Sequence, residues 1–179
     1  LVHQLVTTGA YYFFSRPRRF GKSLLVSTLK ALYLGNKAIF EGLWIENNWD
    51  WSKTNPVLHF SFFVMSYKQS GLEAAIDEKL QYWGDHYNIR LISSNYKSKF
   101  NELLEKLALA HGKVVLLIDE YDKPIIDFLE KDELDQAKVC AGANRFGKMC
   151  NPRIVNLILQ FHIGCQIRLG SLYQCFICE

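Results

Sequence analysis

Residues Ser15 to Ser23 read SRPRRFGKS, between the aromatic run Tyr11 to Phe14 and the apolar Leu24-Leu25-Val26. Gly21-Lys22-Ser23 match the end of the phosphate-binding pattern G-x-x-x-x-G-K-[ST], with Ser15 where the pattern has its first glycine. Each residue type has a task in such a loop. Gly21 lets the backbone approach an anion, and the amides of the loop and of the following helix N-terminus point at it along the helix dipole. The Lys22 ammonium would reach the β- and γ-phosphates, and the Ser23 hydroxyl would ligate Mg²⁺. The expected nucleotide-binding run is Ser15, Arg16, Pro17, Arg18, Arg19, Phe20, Gly21, Lys22, Ser23 and Leu24. Pro17 has no amide to give, so Arg19 to Ser23 supply the amides that matter most. The competing reading is a basic turn that happens to contain GKS, with Arg18 and Arg19 in solvent.

A second constellation supplies the partner chemistry. Val114-Val115-Leu116-Leu117-Ile118 ends in Asp119-Glu120. An uninterrupted β-branched and apolar run suits a parallel strand buried on both faces. Asp119 at its carboxyl end can hold Mg²⁺ through the ion's water shell, and Glu120 can act as general base on a water attacking the γ-phosphate. An exposed acidic turn after a core strand is the alternative.

These residues need elements to carry them. Tyr11 to Phe14 suits a short buried strand, and Leu24, Leu25, Leu29 and Leu32 recur at helical spacing up to Gly35, a left-handed cap. Val57 to Phe63 has the length of a second strand. Leu72, Ile76, Leu80 and Trp83 mark one helix, and Phe100, Leu103, Leu104 and Leu107 mark another that stops at Gly112. Pro124 is placed to open a further helix. Strands alternating with helices imply an α/β fold with a parallel sheet and right-handed crossovers.

Composition sets the bounds. At 179 residues and 49% apolar content, the chain suits one α/β domain with a substantial core. No apolar run has membrane-helix length, and no leader precedes the first strand, so the expectation is a soluble, cytoplasmic protein without a membrane partner. The net charge of +3 is too small to argue for nucleic-acid binding. It is unevenly spread: residues 1–137 hold 16 Lys and Arg against 17 Asp and Glu, and residues 138–179 hold 5 against 1. All five cysteines also follow residue 137. The sequence therefore divides into a core, 1–137, and a divergent cysteine-rich tail, 138–179.

With SRPRRFGKS and VVLLIDEYDKPI both in view, the chain resembles the bacterial AAA-ATPase-like family, P-loop proteins often joined to a PD-(D/E)XK nuclease-like domain. The matching text is YYFFSRPRRFGKSLLVSTLKALYLGNKAIFEGLWI, WDWSKTNPVLHFSF and VVLLIDEYDKPI, over roughly residues 1 to 137. Serine at the first loop position is usual in that family. The resemblance implies a P-loop NTPase three-layer sandwich of the additional-strand type, with ATP and Mg²⁺ as ligands. Lys22 and Glu120 then serve catalysis, and Ser23 and Asp119 hold the metal. It also implies a possible homo-oligomer, and DNA as a possible partner through a nuclease-like domain.

The family pattern departs at both ends, so the chain reads as a truncated fragment. A Tyr-Val-Asp-Lys-Thr-like stretch is expected before this start. A strand resembling F-[VI]-F-[LI]-[TS]-G-V-[TS]-K-[FI] is expected after the acidic strand, where this chain has IVNLILQFHIGCQIRLG. An apolar strand can form from Ile154 to Ile163, but no Thr or Ser ends it. A reading-frame slip near residue 138 would account for the tail, which stands in place of the last core strand and the downstream domain.

Other constellations have quieter readings beside the sharp ones. His162-x-x-Cys165 and Cys175-x-x-Cys178 have zinc-ligand spacing, against unpaired thiols in a reducing compartment. Trp44, Trp49 and Trp51 with Lys53 could stack on bases, or pack a connection. Asp122 and Lys123 could touch the site, or form a local ion pair. His59 reads as a hydrogen-bonded core histidine, and the acidic run from Asp127 as a solvated helix face.

The leading expectation is ATP binding, with Mg²⁺-dependent hydrolysis in the intact protein and doubtful turnover by this chain alone. The alternatives are a non-hydrolysing nucleotide-dependent switch, and a nucleic-acid binder using Arg16, Arg18 and Arg19.

Overall fold

The computed structural model describes Val6 and residues 11–16, 20–120, 123–129 and 155–163. Pro17, Arg18, Arg19, Asp122 and all five cysteines lie outside the described residues.

The described strands form one parallel sheet. They are β1 (Tyr11–Arg16), β2 (Val57–Ser61), β3 (Val114–Asp119) and β4 (Val155–Ile163), in the order β1-β4-β3-β2. Five helices accompany them: α1 (Lys22–Tyr33), the single turn α2 (Tyr67–Ser70), α3 (Leu72–His86), α4 (Tyr96–His111) and α5 (Lys123–Leu129). The mixture is α/β, as the alternating pattern implies.

Period-2 geometry in β3 separates two cores. Val115 and Leu117 meet Val26, Leu29 and Tyr33 of α1. Val114, Leu116 and Ile118 meet Ile76 and Leu80 of α3 and Phe100, Leu103 and Leu107 of α4. Helices thus cover both faces, and every residue of β3 is buried. Asn95 starts α4 by accepting a hydrogen bond from the Ser98 amide at 2.9 Å, a side-chain cap that satisfies one orphan donor of the first turn. Gly35 ends α1 at φ 75°, as its position suggests.

Two boundaries differ from the sequence expectation. β2 stops at Ser61, because Val64 turns its amide back to the Ser61 carbonyl at 3.2 Å. Phe63 and Val64 are consequently exposed rather than buried in a strand. The Trp-rich connection forms two 3-10 turns, Lys37–Phe40 and Trp44–Asn47. Trp49 sits edge-on to Tyr33, Trp51 packs on Phe40 and donates to the Glu46 carbonyl, and Lys53 pairs with Asp50. Only Trp44 is strongly exposed, so the three indoles make no common stacking face.

β4 occupies the place where an apolar strand can form, and it stands between β1 and β3.

Candidate functional site

Register places the two chemical constellations at one end of the sheet. Phe13 pairs with Gln160 of β4, and Gln160 pairs with Ile118 of β3. Phe14 and Asp119 therefore stand at the same level two strands apart, about 10 Å at the usual interstrand spacing. β1 continues to Arg16 and into the loop, while β3 ends at Asp119. The loop and the carboxylate leave the sheet at its carboxyl edge, where open parallel sheets take their ligands.

Gly21 makes the entry to α1. Its φ of 74° and ψ of 19° are left-handed, and a Cβ built on it meets nothing within 4 Å. The space before the loop is open, so backbone conformation is what requires glycine here. The Leu25 amide closes the first helical bond on the Gly21 carbonyl at 3.0 Å. Among the described residues no side chain caps this helix. By helix geometry the amides of Lys22, Ser23 and Leu24 point out of the N-terminus, where the dipole favours an anion.

Among the described residues, the buried charged side chains are Lys22, 8% exposed, and Asp119, 7% exposed. Burial of a charge is costly and concentrates at sites where the charge is used. Ser23 is exposed at the start of α1, with Phe20 and Leu24 beside it. Glu120 follows β3 with φ 53°, and its carbonyl accepts from the Lys123 amide at 3.0 Å, which starts the turn into α5. A left-handed glutamate costs on the order of 1 kcal/mol and is retained where the surroundings impose it. Of the sequence-derived site, then, Gly21, Lys22, Ser23, Asp119 and Glu120 lie at one edge of the sheet. The backbones of Ser15 and Arg16 end β1, and Pro17, Arg18 and Arg19 lie outside the described residues.

The donor set offers hard oxygen ligands, the Ser23 hydroxyl and the Asp119 carboxylate, which suit Mg²⁺ bound jointly by protein and phosphate. Among the described residues no group of three or more His, Cys, Asp or Glu side chains is arranged to hold a metal by itself.

Asp127 corrects the sequence expectation of a solvated helix face. Its side chain is 11% exposed, and it accepts from the Tyr67 hydroxyl and pairs with Lys68 and Lys123, each at 3.1 Å. Burial opposes its ionisation, yet these three donors hold its carboxyl below the usual range. Lys123 accordingly forms the local ion pair. The network ties α5, which follows β3, to α2, which follows β2. Nothing in sequence spacing joins residues 67 and 127; only the adjacency of β2 and β3 does.

His59 departs from expectation too. Its Nε2 is buried without a hydrogen-bond partner among the described residues, and burial, followed by Lys30 and Lys79, lowers its pKa to about 4.

No helix among the described residues is long and apolar enough to cross a membrane. The family model described as "Predicted AAA-ATPase" matches residues 1–159. The uncharacterized protein in the vnfD 5' region of Azotobacter chroococcum mcd 1 is 42% identical over 133 residues, covering 73% of this chain. The chain spans about a quarter, 26%, of that relative's length. No solved structure matches. The match over most of the chain, on a parallel α/β sheet carrying GKS and a buried strand-end aspartate, shows that this chain belongs to the predicted AAA-ATPase family.

Proposed function

We propose that the carboxyl edge of the sheet binds ATP with Mg²⁺ and, in the intact protein, hydrolyses it. The observation that carries this reading is that the two buried charges among the described residues, Lys22 and Asp119, belong to the two ends that β4 brings to one edge. A P-loop sandwich of the additional-strand type has this strand arrangement, with one strand between the loop and the acidic strand. The family supports nucleotide use.

In this reading the amides after Gly21 hold the phosphates through the helix dipole, and Lys22 neutralises charge on the β- and γ-oxygens. Ser23 and Asp119 hold Mg²⁺, which when bound offsets the charge that develops on the transferred phosphoryl group. Glu120 takes the proton of the attacking water. Ser15 to Arg19 complete the phosphate loop.

Calorimetry of Mg²⁺-ATP on this chain is expected to give micromolar binding that Lys22→Ala weakens 10- to 100-fold, the range of one charge-assisted contact. Absence of binding by a folded chain would refute the reading. In the full-length protein, Glu120→Gln is expected to abolish hydrolysis while retaining binding.

The Asp127 network favours a second reading, a nucleotide-dependent switch with little turnover, because it couples the segments after β2 and β3 directly. Retained ATP response in a full-length protein that does not hydrolyse ATP would select it. A cytoplasmic homo-oligomer acting on DNA through a nuclease-like domain is the accompanying proposal for the longer protein. We keep the division at residue 138 as a proposal as well; sequencing the gene across it tests for a reading-frame slip.

A further inference from the structure

β2 is an outer strand of the described sheet, and its outward side is only partly closed. The Phe62 amide donates to the Asp119 carbonyl at 3.1 Å and the Val115 amide to the Pro56 carbonyl at 2.9 Å, so the even-numbered residues here turn their backbone groups to β3. Val57 turns the other way, and its amide donates to the Tyr87 hydroxyl at 3.2 Å. By strand alternation His59 and Ser61 share that outward direction.

Beyond the Tyr87 cap they line a pocket of about 480 Å³, within the usual size of small-ligand sites. Lys30 of α1 and Lys79, Tyr82 and Trp83 of α3 complete its chemistry. Nε2 of His59 and Nε1 of Trp83, on two of its lining side chains, make no hydrogen bond among the described residues, and both atoms are buried behind the pocket surface. An indole N–H is a donor only, and burying it without an acceptor is unfavourable. Lys30 and Lys79 are both cationic, with Glu78 the opposing carboxylate of the lining. Burial first, and then the Lys30 charge, lowers the proton affinity of both Lys79 and His59, which places these cations within electrostatic reach of one another. The Lys79 ammonium lies 4.3 Å from the Tyr82 ring centroid and 4.9 Å from that of Trp83, so an aromatic wall stands beside the cations.

We propose that this pocket is a second ligand site that takes a small anion bearing a phosphate or carboxylate, its oxygens held by Lys30 and Lys79. The site is independent of the phosphate loop: its side chains come from β2, residues 64–66, α3 and the last turn of α1. Ser61 nonetheless pairs in register with Asp119, so an occupant stands one strand away from the candidate nucleotide edge.

The test is NMR of the Trp83 indole N–H and the His59 ring, assigned with Trp83→Phe and His59→Gln. Benzoate, adenosine monophosphate and inorganic phosphate are the probes. Lys22→Ala protein removes the phosphate loop as a competitor, and benzoate carries no phosphate, so it serves in the unsubstituted chain as well. The expected result is a saturable shift of both resonances by at least one of these probes, with Kd below about 1 mM. Lys30→Gln/Lys79→Gln should weaken it at least tenfold with circular dichroism unchanged. Two results would overturn the proposal: no saturation by any of the three probes, or equal binding by the double variant. Loss of ATP binding elsewhere leaves each of these outcomes unaffected.

Discussion

Single positions carry opposing demands in this molecule, and Glu120 shows how they separate. Its φ of 53° is unfavourable for any side chain, while its carboxylate is the proposed base. Glu120→Gly and Glu120→Ala remove the same group but differ in backbone freedom. The glycine variant is expected to be more stable by about 1 kcal/mol, or roughly 2–4 °C in Tm, with both inactive in hydrolysis. Equal melting temperatures by calorimetry would show that the left-handed turn carries no strain. His59 gives a pH-dependent counterpart. Its folded pKa of about 4 lies below the ordinary 6.5, so the unfolded chain binds the extra proton between these values. Stability from this group is complete above pH 6.5 and is lost as pH falls toward 4, by about 2 kcal/mol after allowing for solvent screening. Lys30 on α1 and Lys79, Glu78 and Tyr82 on α3 are the groups facing it. Urea midpoints of His59→Gln should be flatter across that window than those of the unsubstituted chain.

At the scale of elements, local rules and tertiary packing can disagree about one residue. Gly84 lies inside α3, where alanine is favoured by about 1 kcal/mol on propensity. A Cβ there would stand 2.8 Å from the Ile89 carbonyl oxygen and 3.3 Å from the Leu91 side chain, because the chain folds back and the Ile89 amide donates to Gly84. A backbone oxygen cannot step aside as a side chain can. Gly84→Ala should therefore destabilise by about 1–3 kcal/mol, read from urea unfolding, against the sign that propensity gives. The same contrast explains what could be read in the sequence. β1, α1, α4 and β3 were legible because period, caps and a continuous apolar run are local signals. The left-handed Gly35 was legible from residue type and position, whereas for Gly21 the sequence offered only a close backbone approach to an anion. The end of β2 at Ser61 was not, since Phe62 and Phe63 look like strand residues and only the turn of Val64 to Ser61 stops them. The burial of Asp127 and the open pocket at His59 were not, because both depend on which helix lies beside which strand.

For the whole molecule, the decisive feature is a strand far along the chain placed in the middle of the sheet. β1 and β3 are joined through β4, which starts at Val155. A chain ending before residue 155 is expected to lose cooperative unfolding and any binding of Mg²⁺-ATP. It would still retain the α3–α4 core against β2 and β3, seen as helical circular dichroism with a broad thermal transition. A sharp, unchanged transition in such a truncation would contradict the sheet order. Sequence could offer an apolar stretch near 154–163 but not its neighbours, since pairing between distant strands leaves no local mark.

That order in space also implies an order in time. Synthesis delivers the loop at residues 15–23 and the acidic strand well before β4, a delay on the order of seconds at cellular rates. Until Ile163 has left the ribosome, the facing sides of β1 and β3 are unpaired strand edges, the kind of surface that recruits other chains. The nascent protein is therefore exposed to misassembly at the place where its charged residues will later meet, and a chaperone bound during that interval would guard the assembly of the site as well as the fold.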